Sequence, residues 1–179
     1  MIKLSRRAML AGLVIGTTGL LAGCGFKLRG TGEIDQANYQ TVKLVGEEAA
    51  PPTLIEALKQ SFQGQDVRLT ESMAEADLLI ELAGYERHIS RTAFSTTGDT
   101  TAELVKLSQG FRVQRVMDER LVLDSRVQIT RDRRINPNQL LASARELEDM
   151  ERQMQQDLAR HLIDRINRAT RRLDEVVQP

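Results

Sequence analysis

The chain has 179 residues, 25 basic and 25 acidic side chains, four Phe, two Tyr, no Trp and one cysteine. Balanced charge argues against general nucleic-acid binding, which shows as a basic excess, and so few rings exclude base-stacking platforms and aromatic sugar-binding shelves. A lone cysteine has no internal disulfide partner.

That cysteine closes the first segment. Lys3, Arg6 and Arg7 precede an apolar stretch from Ala8 to Ala22, and Leu21-Ala22-Gly23-Cys24 reads as a lipobox. The stretch is broken by Gly12, Gly16 and Gly19 and falls short of the ~20 apolar residues of a membrane-spanning helix. It is therefore expected to be a signal peptide, residues 1–23, removed before Cys24, whose thiol takes the diacylglyceryl group and whose new amine takes a palmitoyl chain. Ser5-Arg6-Arg7-Ala8-Met9-Leu10 also resembles a twin-arginine export motif, with Ala11 where lysine is usual. Removing Lys3, Arg6 and Arg7 leaves 156 residues with 22 basic and 25 acidic groups, a net charge of −3. That length suits one domain with a real core.

Residues 24–40 read as a glycine-rich, lipidated tether. Thr41–Val45 reads as a strand. Leu54, Ile55, Leu58 and Phe62 after Pro51-Pro52 and before Gly64 read as a short helix. A strand is expected at 67–70, a capping box at Ser72 and Glu75, and a strand at 78–82. Further on, Val105, Leu107, Phe111 and Val113 alternate with Lys106, Ser108, Arg112 and Gln114. Leu121, Leu123, Val127 and Ile129 alternate with Asp124, Arg126 and Gln128. Turns fall at 95–99 and 117–120, so one sheet face is wet or meets a partner.

The last third reads as one helix from Pro137 to Asp174, N-capped by Asn136 with Gln139 as capping-box partner. Its apolar stripe runs through Leu140, Ala144, Leu147, Met150, Met154, Leu158, Leu162, Ile166, Ala169 and Leu173. Glu148 with Arg152 and Asp164 with Arg168 stand at pairing distance on its surface. At ~1.5 Å per residue the helix would be about 55 Å long, more than a small sheet covers, so its end is expected to project.

Catalytic inventory is poor. His88 and His161 lack metal-ligand spacing and read as surface or boundary residues, and there is no G-x-S-x-G elbow, P-loop or dinucleotide fingerprint. No enzyme activity, metal or cofactor is expected.

Other motifs carry a resemblance. Gly23-Cys24-Gly25-Phe26-Lys27-Leu28-Arg29-Gly30, Ala76-Asp77, the trio Arg91, Ser95 and Gly98, and Arg131-Asp132 followed by Asn136, Leu141-Ala142, Glu146, Glu148 and Met154-x-x-Asp157 together resemble the lipopolysaccharide-assembly lipoprotein LptE family. Arg133, Ile135 and Leu104 stand where that pattern has aromatic residues. The resemblance implies an α/β chain built as an α+β sandwich: a mixed sheet of about four strands, two helices on one face, and a single domain over residues 41–179. It also implies a non-enzymatic outer-membrane lipoprotein that plugs the β-barrel LptD, helps it assemble, and binds lipopolysaccharide in transit. Gly25, in place of the aspartate that retains such lipoproteins at the inner membrane, points to the outer membrane of a Gram-negative cell. Arg87, Arg91, Lys106 and Arg112, the dense basic character of the predicted hairpin, are the candidates for lipopolysaccharide phosphate contacts. The alternative is a membrane-tethered periplasmic interaction module or holdase.

Overall fold

The computed structural model describes residues 37–177, with side chains as far as Leu173; Cys24, the signal peptide and the greater part of the tether lie outside the described residues. A five-stranded mixed sheet carries two helices. The strands are β1 (Thr41–Val45), β2 (Arg68–Leu69), β3 (Leu78–Phe94), β4 (Thr100–Arg115) and β5 (Arg120–Arg134), and the helices are α1 (Pro52–Gln63) and α2 (Leu140–Val177). Sheet order is β2-β1-β3-β4-β5, with β1 parallel to both its neighbours and the β3-β4-β5 meander antiparallel. The count is one more than the four or so that the resemblance implied, and the strand expected at 67–70 forms as a two-residue pairing beside β1.

α1 follows its sequence signals: Pro52 opens it, Leu54, Ile55, Leu58 and Phe62 are buried, and Gly64 ends it. Gly64 is right-handed at φ −66°, however, and the left-handed turn after the helix falls to Asp66 at φ 59°. The capping box at Ser72 and Glu75 does not form. Ser72 caps nothing with its side chain, and Thr70 takes over, its hydroxyl accepting from the Ser72 N–H and donating to Glu75. Asp77 then ties the starts of β1 and β3 together. Its carboxylate accepts the backbone N–H groups of Gln40 and Thr41, both at 2.8 Å. Burial raises the pKa of this carboxyl, but the donors outweigh it and hold it below its ordinary range.

The meander strands are long. β3 and α2, at 17 and 38 residues, are each about 55 Å from end to end by their rises per residue, so the sheet is comparable in length to the helix. Contacts set the direction of α2 as antiparallel to β5: Arg133 donates to the Ser143 carbonyl, Arg131 to Asp157, and Arg165 to the Arg126 carbonyl.

The core lies between the sheet and both helices. Val42, Leu54, Leu58, Phe62, Ile80, Val105, Leu107, Val113, Met154, Leu158, Leu162 and Ile166 have no exposed surface. A polar chain leads out of it, Tyr39 donating to buried Asn167 at 2.8 Å and Asn167 to half-buried Gln65 at 2.9 Å. It joins the entry to β1, the turn after α1 and the far third of α2, and burial pushes the Tyr39 hydroxyl pKa up.

The start of α2 departs from expectation. Residues 136–139 form a turn in which the Asn138 N–H donates to the Asn136 side chain, and Gln139 accepts the first helical bond, from Ser143. Leu140 and Leu141 are each 68 % exposed and Ala144 is exposed, so the buried stripe begins with half-buried Leu147. Arg152 pairs with Asp149, not Glu148, and Arg168 donates to the Asp164 backbone carbonyl, not its carboxylate.

Candidate interaction surfaces

A single bulge decides which residues share a face. Ala83 lies opposite Gly110 and Tyr85 opposite Gln109, so Gly84, at φ 42°, is an extra residue in β3. The Gln109 side chain, fully buried, donates to the Ala83 carbonyl at 2.9 Å and satisfies the acceptor that the bulge displaces. Gly110 is required here, because a Cβ would stand 2.8 Å from that same carbonyl oxygen. Before the bulge, Leu78, Ile80 and Leu82 face the helices; after it, Tyr85, Arg87, Ile89 and Arg91 do, lying opposite Gln109, Leu107, Val105 and Glu103 of β4.

The predicted basic group is thereby divided. Arg87 and Arg91 lie on the helix side, and Arg87 binds Glu151 of α2 at 2.7 Å. Lys106 and Arg112 lie on the open side, where Arg112 sits between Asp124 at 3.0 Å and Glu81 at 3.5 Å. The hydrogen bond and charge of Asp124, then the charge of Glu81, raise the Arg112 pKa. All four belong to the β3-β4 hairpin, but the structure does not bring them onto one surface.

The open face has a centre that the sequence reading missed. Arg126 of β5 reaches across the strands to Glu86 at 2.7 Å and Ser108 at 3.3 Å, above Gly84 and Gly110. Around it, Glu81, Arg112 and Asp124 frame a shallow depression of about 240 Å³. The signal lay in the register, since Gly110 and Arg126 face one another; alternation alone gave Arg126 only as outward. Leu121, expected inward, is 55 % exposed because a second irregularity, between Val113 and Gln114, puts Val122 against the core instead.

The helix side of the distal hairpin is also polar. Arg133 pairs with Glu103 at 2.9 Å with both side chains largely buried, and Arg131 pairs with Asp157 at 2.6 Å. Arg131 and Asp157 come from two separate pieces of the sequence resemblance, and the fold makes them partners. His88 and His161 are exposed, and no cluster of metal-ligating side chains occurs among the described residues.

A family model described as LptE, lipopolysaccharide-assembly, matches residues 39–166, which takes in every strand, α1 and α2 as far as Ile166. The chain belongs to the LptE family. Among solved structures, lipoprotein B from Nitrosomonas europaea superposes with a TM-score of 0.66 at 18 % identity, covering 82 % of this chain and 92 % of that one. Rare lipoprotein B from Shewanella oneidensis gives 0.63 at 17 %, covering 78 % and 100 %, and a minor lipoprotein from Acinetobacter baumannii gives 0.58 at 15 %, covering 73 % and 92 %. At these identities the likeness is one of fold. Curated proteins give no match. An LptE-family member is a lipopolysaccharide-assembly protein and a membrane-associated lipoprotein; among the described residues no helix is long and apolar enough to cross a membrane.

Proposed function

We propose that this LptE-family chain is a non-enzymatic outer-membrane lipoprotein, a single domain tethered through acylated Cys24, which forms a complex with the β-barrel LptD as plug and assembly partner and binds lipopolysaccharide on its way to the outer leaflet. The observation that carries the reading is the uncovered sheet face. Its side chains, Glu81, Glu86, Lys106, Arg112, Asp124 and Arg126, are charged and largely satisfied in pairs, which suits the polar, watered interior of a large barrel better than an apolar partner. Lys106 and Arg112 on that face, and Arg91 at the hairpin's far end, are the residues to bind lipid phosphates; Arg87 would first have to leave Glu151.

Purification from outer membranes tests the complex: recovery with a β-barrel partner in constant proportion is expected, and recovery alone overturns the reading. Reversing the charge of Arg87, Arg91, Lys106 and Arg112 together is expected to weaken lipopolysaccharide binding, and unchanged binding removes those residues from the proposal. Depletion separates export from the holdase alternative. Loss of lipopolysaccharide from the cell surface supports export, whereas unfolded periplasmic proteins accumulating beside normal surface lipopolysaccharide supports the holdase.

A further inference from the structure

At the end of the sheet where the chain enters β1, a cavity of about 660 Å³ opens between the connection from β2 to β3, the β4-β5 turn and the last described turns of α2. That volume falls within the ~300–1,000 Å³ of ordinary ligand sites. Ala74, Ala76, Leu78, Val116, Val122 and Leu173 give it apolar walls. Met117, also in the wall, is 84 % exposed, and a methionine at the rim suits a ligand whose shape varies.

The polar groups of the wall indicate what the ligand is. Asp77 is committed to the N–H groups of Gln40 and Thr41, Glu75 to the Thr70 hydroxyl, and Arg115 to Asp118 through two bonds at 2.9 and 2.6 Å. The Tyr39 and Thr170 hydroxyls donate to Asn167 and to α2 carbonyls. Asp77 and Arg115 are engaged by the protein and Glu75 is turned to solvent with the Thr70 hydroxyl on it, so what the cavity offers a ligand is width and apolar area more than charge. We propose that it binds one acyl chain of a membrane lipid, with the headgroup left outside. A cavity of this size holds a single chain and not a whole lipid. The proposal goes beyond the barrel-plug reading and does not depend on it.

The test uses the lipidated protein in vesicles that carry a phosphatidylcholine with a photoreactive diazirine at its acyl terminus. Irradiation is expected to label peptides containing residues 74–78, 115–122 or 173. Ala74→Trp, at an exposed position of the wall, is expected to cut labelling by about fivefold or more, as is Leu173→Arg, while Leu141→Gln at the opposite end changes nothing. Replacing the phosphatidylcholine probe by its phosphatidylglycerol counterpart is expected to alter the yield by less than about twofold. Labelling confined to Phe94, Leu140 and Leu141, labelling indifferent to both wall substitutions, or a strong headgroup preference would overturn the proposal. So would labelling by photoreactive myristic acid but not by the phospholipid. Barrel co-purification of the same variants is read in parallel, so loss of labelling with the complex intact removes only the acyl-chain site.

Discussion

The two halves of the sheet are built on different physics. In the proximal half, α1 and the far part of α2 lie over β1 and the first residues of β3, and side chains such as Phe62, Ile80 and Leu158 are sealed from water. In the distal half only the beginning of α2 covers the sheet, and arginines join the layers: Arg87 to Glu151, Arg131 to Asp157, Arg133 to Glu103 and to the Ser143 carbonyl. Beneath these clasps Val105 and Leu107 remain fully buried, with Ile89, Leu147 and Met150 half-buried around them. A small apolar kernel thus suffices when ion pairs guard its rim. Stability resides mainly in the proximal half, leaving the distal surface free to vary its charges.

Substitutions that break the comparison should rank accordingly. Leu158→Ala, in the sealed half, is expected to cost about 4 kcal/mol in chemical denaturation, from lost transfer energy plus the cavity left behind. Arg133→Ala, the most buried clasp, is expected to cost about 2–3 kcal/mol because it strands Glu103 without its cation; a loss equal to that of Leu158→Ala would erase the distinction between halves. Gly110→Ala is expected to cost about 2 kcal/mol by driving a methyl into the Ala83 carbonyl, with shifted amide resonances for Gly84 and Gln109 as its signature.

Asp77→Asn is expected to cost about 1 kcal/mol at neutral pH, its exposure to water keeping the loss small. The sign of its pH dependence follows from the lowered carboxyl. In the unfolded chain Asp77 takes up a proton at higher pH than in the fold, so its contribution is complete above the ordinary carboxylate range and fades as pH falls through the folded value. Urea titrations from pH 6 to pH 2 should show the two proteins converging at the acid end. Smallest of all, Arg112→Ala should leave the urea midpoint unchanged within error, since its partners on the open face are themselves more than half exposed. A larger loss would give the open face a structural role.

Sequence reading succeeded where one local rule sufficed. α1 was legible because proline, glycine and spacing by three and four residues agree, and the β3-β4 turn because Ser95, Gly98 and Asp99 supply its chemistry: the Ser95 hydroxyl accepts from Thr97 and Asp99, and Gly98 takes φ 89°. The length of β3 was hidden, since Arg87 to Arg91 are mostly polar and only the arginine clasps make that stretch part of a covered surface. The facing of Arg87 and Arg91 was hidden for another reason: an alternation pattern counts residues, and a bulge removes one from the count without announcing it. Arg126 was missed because its role needs Gly84 and Gly110, which belong to two other strands. Leu140 and Ala144 satisfied the helical stripe yet precede the covered part of α2.

Gly84 acts on this protein as a reading frame acts on a gene. Drawing it into the ladder as a regular pair of Gln109 would leave the strand backbone able to pair, yet would turn every later side chain of β3 over, sending Arg87, Ile89 and Arg91 to the open face and Glu86, His88 and Ser90 beneath α2. Glu151 would then meet a carboxylate in place of its arginine. One residue without a side chain, held outside the ladder, therefore sets the polarity of half the molecule: the bulge it forms decides not the shape but which side of the ribbon the later residues present.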